Sequence, residues 1–170
     1  DEFTVNIAFV EENKPVLGVV YVPADEEIYY ASKNWGSFKE DLKTNQIKLL
    51  KESNPAVLLR VITSRSHKNP RLQRFLKKIP PHRIISMGSS LKLCKVADGK
   101  ADIYPRLGPL SEWDISAAAM ILKEAGGQIY NFEGELITFD TVDGRINSFI
   151  AVSKHYDNII LNLLQKQQIT

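Results

Sequence analysis

Cysteine occurs once in these 170 residues, at position 94. A single thiol makes no intrachain disulfide and no Cys-rich zinc site, and it suits a reducing compartment. Uninterrupted apolar runs stop well short of the ~20 residues that carry a helix across a bilayer. The chain must therefore rely on its own core, and its length allows roughly two-thirds of the unfolded surface to be buried. Acid is missing locally: no Asp or Glu lies between Ser53 and Ala97.

That stretch holds ten cations, Arg60, Arg65, Lys68, Arg71, Arg74, Lys77, Lys78, Arg83, Lys92 and Lys95. Residues 1–52 carry six cations and ten acids, and residues 98–170 carry the same balance. The formal net charge of +2 thus hides a basic centre between acidic flanks. Such a partition suggests an anionic partner, and a basic solvated helix face is the plainer alternative.

Glu2–Val10 is rich in aromatic and β-branched residues, Asn13-Lys-Pro15 is a turn, and Val16–Val22 is a second strand. Glu27–Ala31 and Ser37–Lys39 continue an antiparallel meander. The first residue is Asp rather than Met and the strand pattern begins at once, so a native N-terminus is expected upstream. From residue 53 the texture changes. Ala56–Thr63 reads as a strand buried on both faces, and Asn69-Pro70 caps a helix with Leu72, Phe75, Leu76 and Ile79 on one side. A strand over Arg83–Met87, a helix from Gly88 to Ala97 and a strand over Ala101–Tyr104 follow. An Ala-rich helix over Asp114–Ala125 ends at Gly126-Gly127. Strands are expected around Gln128–Phe132, Leu136–Phe139 and Phe149–Val152, then a helix from Lys154 to Gln165. The fold class is α/β: residues 1–52 supply an antiparallel sheet and residues 53–170 an α/β layer.

Three places suit chemistry. Gly88-Ser89-Ser90-Leu91-Lys92 joins a strand to a helix start and reads either as an anion site, with Lys92 adding charge, or as plain capping. Ser64-Arg65-Ser66-His67 follows a buried strand at the end where open α/β sheets bind ligands, or is an ordinary loop. Asp114 falls at a helix start, as an N-cap or as an outward carboxylate for a hard cation. Arg106 is a loop cation able to meet phosphate, and Trp113 reads as a core anchor. Cys94 reads as an inert core thiol, and His82 and His155 lack ligand-spaced partners.

Taken in order, Glu2-Phe-Thr-Val-Asn-Ile-Ala8, Gly18-Val-Val-Tyr-Val-Pro23, Ser64-Arg-Ser-His67, Gly88-Ser-Ser-Leu-Lys92, Ala101-Asp-Ile-Tyr-Pro-Arg106 and Gly108-Pro109 through Trp113-Asp114 resemble one family. The chain is similar to the 3′(2′),5′-bisphosphate nucleotidases, bacterial type, of the inositol monophosphatase superfamily. The resemblance runs to about Val152. It implies a layered α/β sandwich and a Mg²⁺-dependent phosphatase that takes the 3′-phosphate from 3′-phosphoadenosine 5′-phosphate in sulfate assimilation. It also implies that Asp114 is a metal ligand, that Gly88, Ser89, Ser90 and Lys92 hold the nucleotide, and that Ser64, His67 and Arg106 line the same pocket. A cytoplasmic enzyme is implied, and peripheral attachment to the inner membrane is compatible with it. The oligomeric state stays open.

Two departures qualify this. The family's other metal carboxylates, a helical Glu and an Asp-Pro-Leu-Asp-Gly-Thr segment, match positions upstream of Phe3. The chain is therefore expected to be the C-terminal portion of a longer enzyme, inactive or incomplete alone. Leu110 and Ile115-Ser116 stand where relatives carry threonines around Trp-Asp. The competing readings are an inositol phosphate or sugar bisphosphate phosphatase of the same superfamily, and a non-catalytic anion or nucleic-acid-binding module. No RNA-binding aromatic motif supports the last of these.

Overall fold

The computed structural model describes residues 3–51, 57–64 and 69–167, with side chains to residue 165. The expected boundary at residues 52 and 53 falls outside the described residues. Alternating residues in the first third form β1 (Val5–Glu11), β2 (Lys14–Val22), β3 (Glu27–Ser32), β4 (Gly36–Asp41) and β5 (Gln46–Leu50), an antiparallel meander in that spatial order. Asn13, Asn34 and Asn45 take left-handed backbone in its turns, where Asn is tolerated. Gly18 pairs with Ala31 and Val20 with Tyr29. All four are buried and face the interior.

The rest of the chain forms β6 (Leu59–Thr63), α1 (Pro70–Leu76), β7 (His82–Ser86), α2 (Leu91–Ala97), β8 (Ile103–Arg106), β9 (Leu110–Ser111) and a 3₁₀ turn at Glu112–Asp114. Then come α3 (Ser116–Glu124), β10 (Gln128–Tyr130), β11 (Arg145–Ile146), β12 (Phe149–Val152), a 3₁₀ turn at Lys154–Tyr156 and α4 (Asp157–Gln167). The second sheet runs β10-β12-β8-β6-β7, with β6 parallel to both neighbours and β12 antiparallel to both of its own. β9 and β11 pair apart from it.

Helices α2 and α3 fill the space between the sheets. Val20, Val22 and Leu50 of the first sheet, Leu93, Met120 and Ile121 of the helices, and Ile62 and Phe149 of the second sheet share one core. On the far face of the second sheet, Leu72 and Phe75 of α1 and Ile160 and Leu164 of α4 pack with Leu59, Val61, Ile150 and Val152. The result is the expected layered α/β sandwich. Asn69 caps α1 by accepting from the Arg71 and Leu72 N–H groups, with Pro70 at the first helical position.

Some expectations shift. Residues 136–139 are irregular, with a single bridge from Leu136 to Tyr130. The Asn131 side chain accepts from the N–H groups of Glu133 and Glu135 and turns the chain just before them. The Ala-rich helix begins at Ser116, because the preceding residues wind into the tighter 3₁₀ turn. β5 and the β9–β11 pair are not among the expected strands; β9 and β11 are two residues each, too short for alternation to be read.

The first sheet meets α3 at backbone distance. A Cβ built on Gly18 falls 2.2 Å from the Ala117 carbonyl oxygen. Gly18→Ala is expected to cost about 2–3 kcal/mol in denaturant unfolding, since neither backbone can yield cheaply. Charges join the same sheet to α2. Glu27 pairs with Lys39 at 2.5 Å and Lys95 at 3.4 Å, Asp98 pairs with Lys48 at 2.5 Å, and Tyr29 donates to Glu27 and accepts from Lys95. Burial pushes the Glu27 carboxyl up, but the Lys39 hydrogen bond and the Lys95 and Lys39 charges outweigh it, so its pKa lies below 4.5. A depressed carboxyl pKa stabilises the fold above the unfolded value and loses that contribution as pH falls through the folded one. The unfolding midpoint of the wild type should therefore fall more steeply below pH ~4.5 than that of Glu27→Gln.

Candidate functional site

Strand order brings the polar ends together. β6 lies between β7 and β8, parallel to both, so the carboxyl ends of three strands open on one side. This is the end at which open α/β sheets hold ligands. Ser64 follows β6, Arg106 ends β8, and Thr63 pairs with Ser86 at the end of β7. The Met87 N–H donates to the Thr63 carbonyl and lays the Met87–Ser90 loop beside them. Arg106 reaches Ser64 Oγ at 3.4 Å and the carbonyls of Gly108 and Pro109 at 3.4 and 3.3 Å. These are long bonds, and no carboxylate pairs with Arg106 among the described residues. His67, with Arg65, lies outside the described residues.

The loop is tightly specified. Ser89 has φ +52°, a left-handed conformation that costs a non-glycine residue of the order of 1 kcal/mol. Its carbonyl accepts from Lys92 Nζ at 2.6 Å, and its hydroxyl accepts from the Leu91 N–H at 3.3 Å. Lys92 is only 4% exposed, with its ammonium 5.2 Å from the centroid of the Tyr104 ring. It braces the loop from beneath. Burial raises the Tyr104 hydroxyl pKa, with Arg106 and Ser64 pulling it back. Ser90 occupies the helix N-cap position without capping; its hydroxyl meets Asn6 and Thr4 of the first sheet. Tyr104, Thr4 and Asn6 were missed in the sequence. Thr4 and Asn6 left a trace: two polar residues at period two, on one face of an otherwise apolar strand.

Asp114 closes the 3₁₀ turn rather than opening the helix. It forms a capping box with Ser111, whose N–H donates to Asp114 Oδ2 at 3.1 Å. The side chain is exposed, and among the described residues Oδ1 has no partner. Ser116 Oγ donates to the Glu112 carbonyl at 2.6 Å, so position 116 keeps a hydroxyl that braces the turn. Trp113 corrects the sequence reading: it is 70% exposed and lies against Gly144 instead of anchoring the core. The tight turn swings it outward while Ile115 takes the buried position. Among the described residues, no three His, Cys, Asp or Glu side chains gather closely enough to hold a metal. Cys94 is fully buried, and burial pushes its thiol pKa to about 12.

Comparison with known proteins decides the family. The profile of the Inositol monophosphatase family matches residues 1–168. The chain belongs to the inositol monophosphatase family. Within that family it is 38% identical over 152 residues to a 3′(2′),5′-bisphosphate nucleotidase CysQ of Salmonella typhimurium, covering 89% of this chain and 60% of that protein. A CysQ of Buchnera aphidicola is 41% identical over 133 residues, covering 78% of this chain and 49% of that protein. The crystal structure of CysQ from Bacteroides thetaiotaomicron, a bacterial member of the family, superposes with a TM-score of 0.81 and 33% identity. That match covers 90% of this chain and 63% of that one. The chain thus spans about 60% of the length of the Salmonella relative.

The loop geometry of this family member makes its own prediction. Lys92→Met keeps the buried stem but removes the Ser89 carbonyl bond and the contact with Tyr104. It should lower unfolding stability by about 1–3 kcal/mol in a denaturant titration.

Proposed function

We propose that this chain carries the nucleotide-binding part of a Mg²⁺-dependent phosphatase acting on 3′-phosphoadenosine 5′-phosphate, with AMP and phosphate as products. In this reading residues 1–52 are the remainder of an N-terminal domain's sheet, residues 53–170 form the C-terminal α/β substrate-binding domain, and the enzyme serves sulfate assimilation in the cytoplasm. Relatives named 3′(2′),5′-bisphosphate nucleotidase, at 38% and 41% identity, support the substrate class. No helix among the described residues is long and apolar enough to cross a membrane.

The observation that carries the proposal is Arg106. It stands where three parallel strands end, with Ser64 beside it and, among the described residues, only long bonds to neutral groups. A guanidinium held this loosely is available for bidentate contact with a phosphate. Ser64, Gly88, Ser89 and His67 complete the substrate wall in this reading, and Lys92 holds the loop in shape. Asp114, with one carboxylate oxygen tied and the other open among the described residues, suits a single ligand position for Mg²⁺. A hard cation needs several oxygen ligands, so the residues present do not make up a Mg²⁺ site by themselves. When bound, the metal would polarise phosphoryl oxygens and activate water.

The test is metal-free binding. In EDTA, calorimetry should show the chain binding adenosine 3′,5′-bisphosphate in preference to inositol 1-phosphate. Arg106→Ala should weaken that binding roughly ten- to a hundredfold, the worth of charge-assisted hydrogen bonds. Equal affinity for the two compounds would overturn the nucleotide reading.

A further inference from the structure

Three side chains from distant parts of the sequence close a ring. Ser90 Oγ lies 2.7 Å from Asn6 Oδ1 and 2.8 Å from Thr4 Oγ1, and Asn6 Nδ2 lies 3.2 Å from Thr4 Oγ1. An amide oxygen only accepts, so the Ser90 hydroxyl donates to Asn6. With that proton committed, the Thr4 hydroxyl must donate to Ser90, and the Asn6 amide N–H donates to Thr4. Turning the Asn6 amide over reverses the direction of the ring and commits the same hydroxyl protons. Each member is a donor and an acceptor once, an arrangement in which hydrogen bonds reinforce one another.

This bears on how the loop meets an anion. A phosphate dianion offers only acceptor oxygens, so a serine can contact it directly only by donating its proton. The Ser90 proton is already used. Ser89 differs: its hydroxyl accepts from the Leu91 N–H, and among the described residues nothing takes its proton. We propose that Ser90, Thr4 and Asn6 are positioning residues, which pin the Met87–Ser90 loop to the first strand of the other sheet, and that Ser90 is not itself a phosphate contact. The proposal rests on the nucleotide reading for the ligand but not for the ring.

The two ideas separate in one set of measurements on the full 170-residue chain. Amide hydrogen exchange over Gly88–Leu91 is measured without ligand, and adenosine 3′,5′-bisphosphate binding is measured in EDTA. Thr4→Val, Asn6→Ala and Ser90→Ala should each speed loop exchange by about five- to tenfold, the worth of one hydrogen bond, while leaving exchange in α4 unchanged. Thr4→Ser keeps the hydroxyl and should behave as wild type, which a general packing defect would not allow. Affinity should fall to a similar extent in the three variants, and Thr4→Val combined with Ser90→Ala should be no worse than Ser90→Ala alone. Unchanged loop exchange in Thr4→Val and Asn6→Ala would overturn the proposal. So would a much larger affinity loss in Ser90→Ala than in the other two, with additive effects in the double variant, because Ser90 would then be donating to the ligand. If the wild type binds no nucleotide while the exchange pattern holds, the nucleotide reading fails and the positioning role stands.

Discussion

Helices α2 and α3 have almost no solvent face, and much of the molecule follows from that constraint. In α2 the residues Leu91, Lys92, Leu93, Cys94, Val96 and Ala97 are buried, and in α3 every residue from Ser116 to Leu122 is buried. A polar group on such a helix must find its partner inside the protein or carry an uncompensated desolvation cost. α2 meets this at both ends with groups of the first sheet. At its start Ser90 joins Thr4 and Asn6, and Lys92 folds back to the Ser89 carbonyl. At its end Lys95 reaches Glu27 and Tyr29, and Asp98 takes Lys48. The helix is thereby fixed along its axis, and the loop that precedes it is fixed with it.

The candidate site inherits this rigidity. Three parallel strands deliver Ser64, Ser86 and Arg106 to one end of the second sheet, and α2 holds the Met87–Ser90 loop beside them. Charge is sorted along the way. Arg60 is bound by Asp102 through its backbone N–H and guanidinium, and the lysines near Glu27 and Asp98 are paired. Arg106 remains without a carboxylate partner among the described residues. Of the ten cations in the acid-free stretch, those of α1 lie on the opposite face of the second sheet from α2. The basic centre is a scattered set, and the loop and the strand ends give it local meaning.

Much of this was legible in the sequence. Alternation in Val16–Val22 and Glu27–Ala31 marks a sheet with one buried face, and Asn69-Pro70 marks the start of α1 by its own chemistry. α2 and α3 were readable from their flanking glycines and serines rather than from periodicity, because a helix buried all round has no amphipathic stripe. Trp113 was misread because a large aromatic beside a helix start is ordinarily a core residue, and only the 3₁₀ turn shows that it points outward. The ring of Thr4, Asn6 and Ser90 spans more than eighty residues of sequence, and no local pattern predicts a contact at that range. The motif order pointed to the family more sharply than any single motif did.

The central claim is that an anionic nucleotide is held where β6, β7 and β8 end. The most direct measurement is an amide chemical-shift map of the ¹⁵N-labelled chain titrated with adenosine 3′,5′-bisphosphate in EDTA. The account predicts shifts concentrated at Ser64, Gly88, Ser89 and Arg106, with Arg71 and Arg74 on α1 unmoved. Shifts centred on α1, or spread evenly over the basic residues, would contradict it.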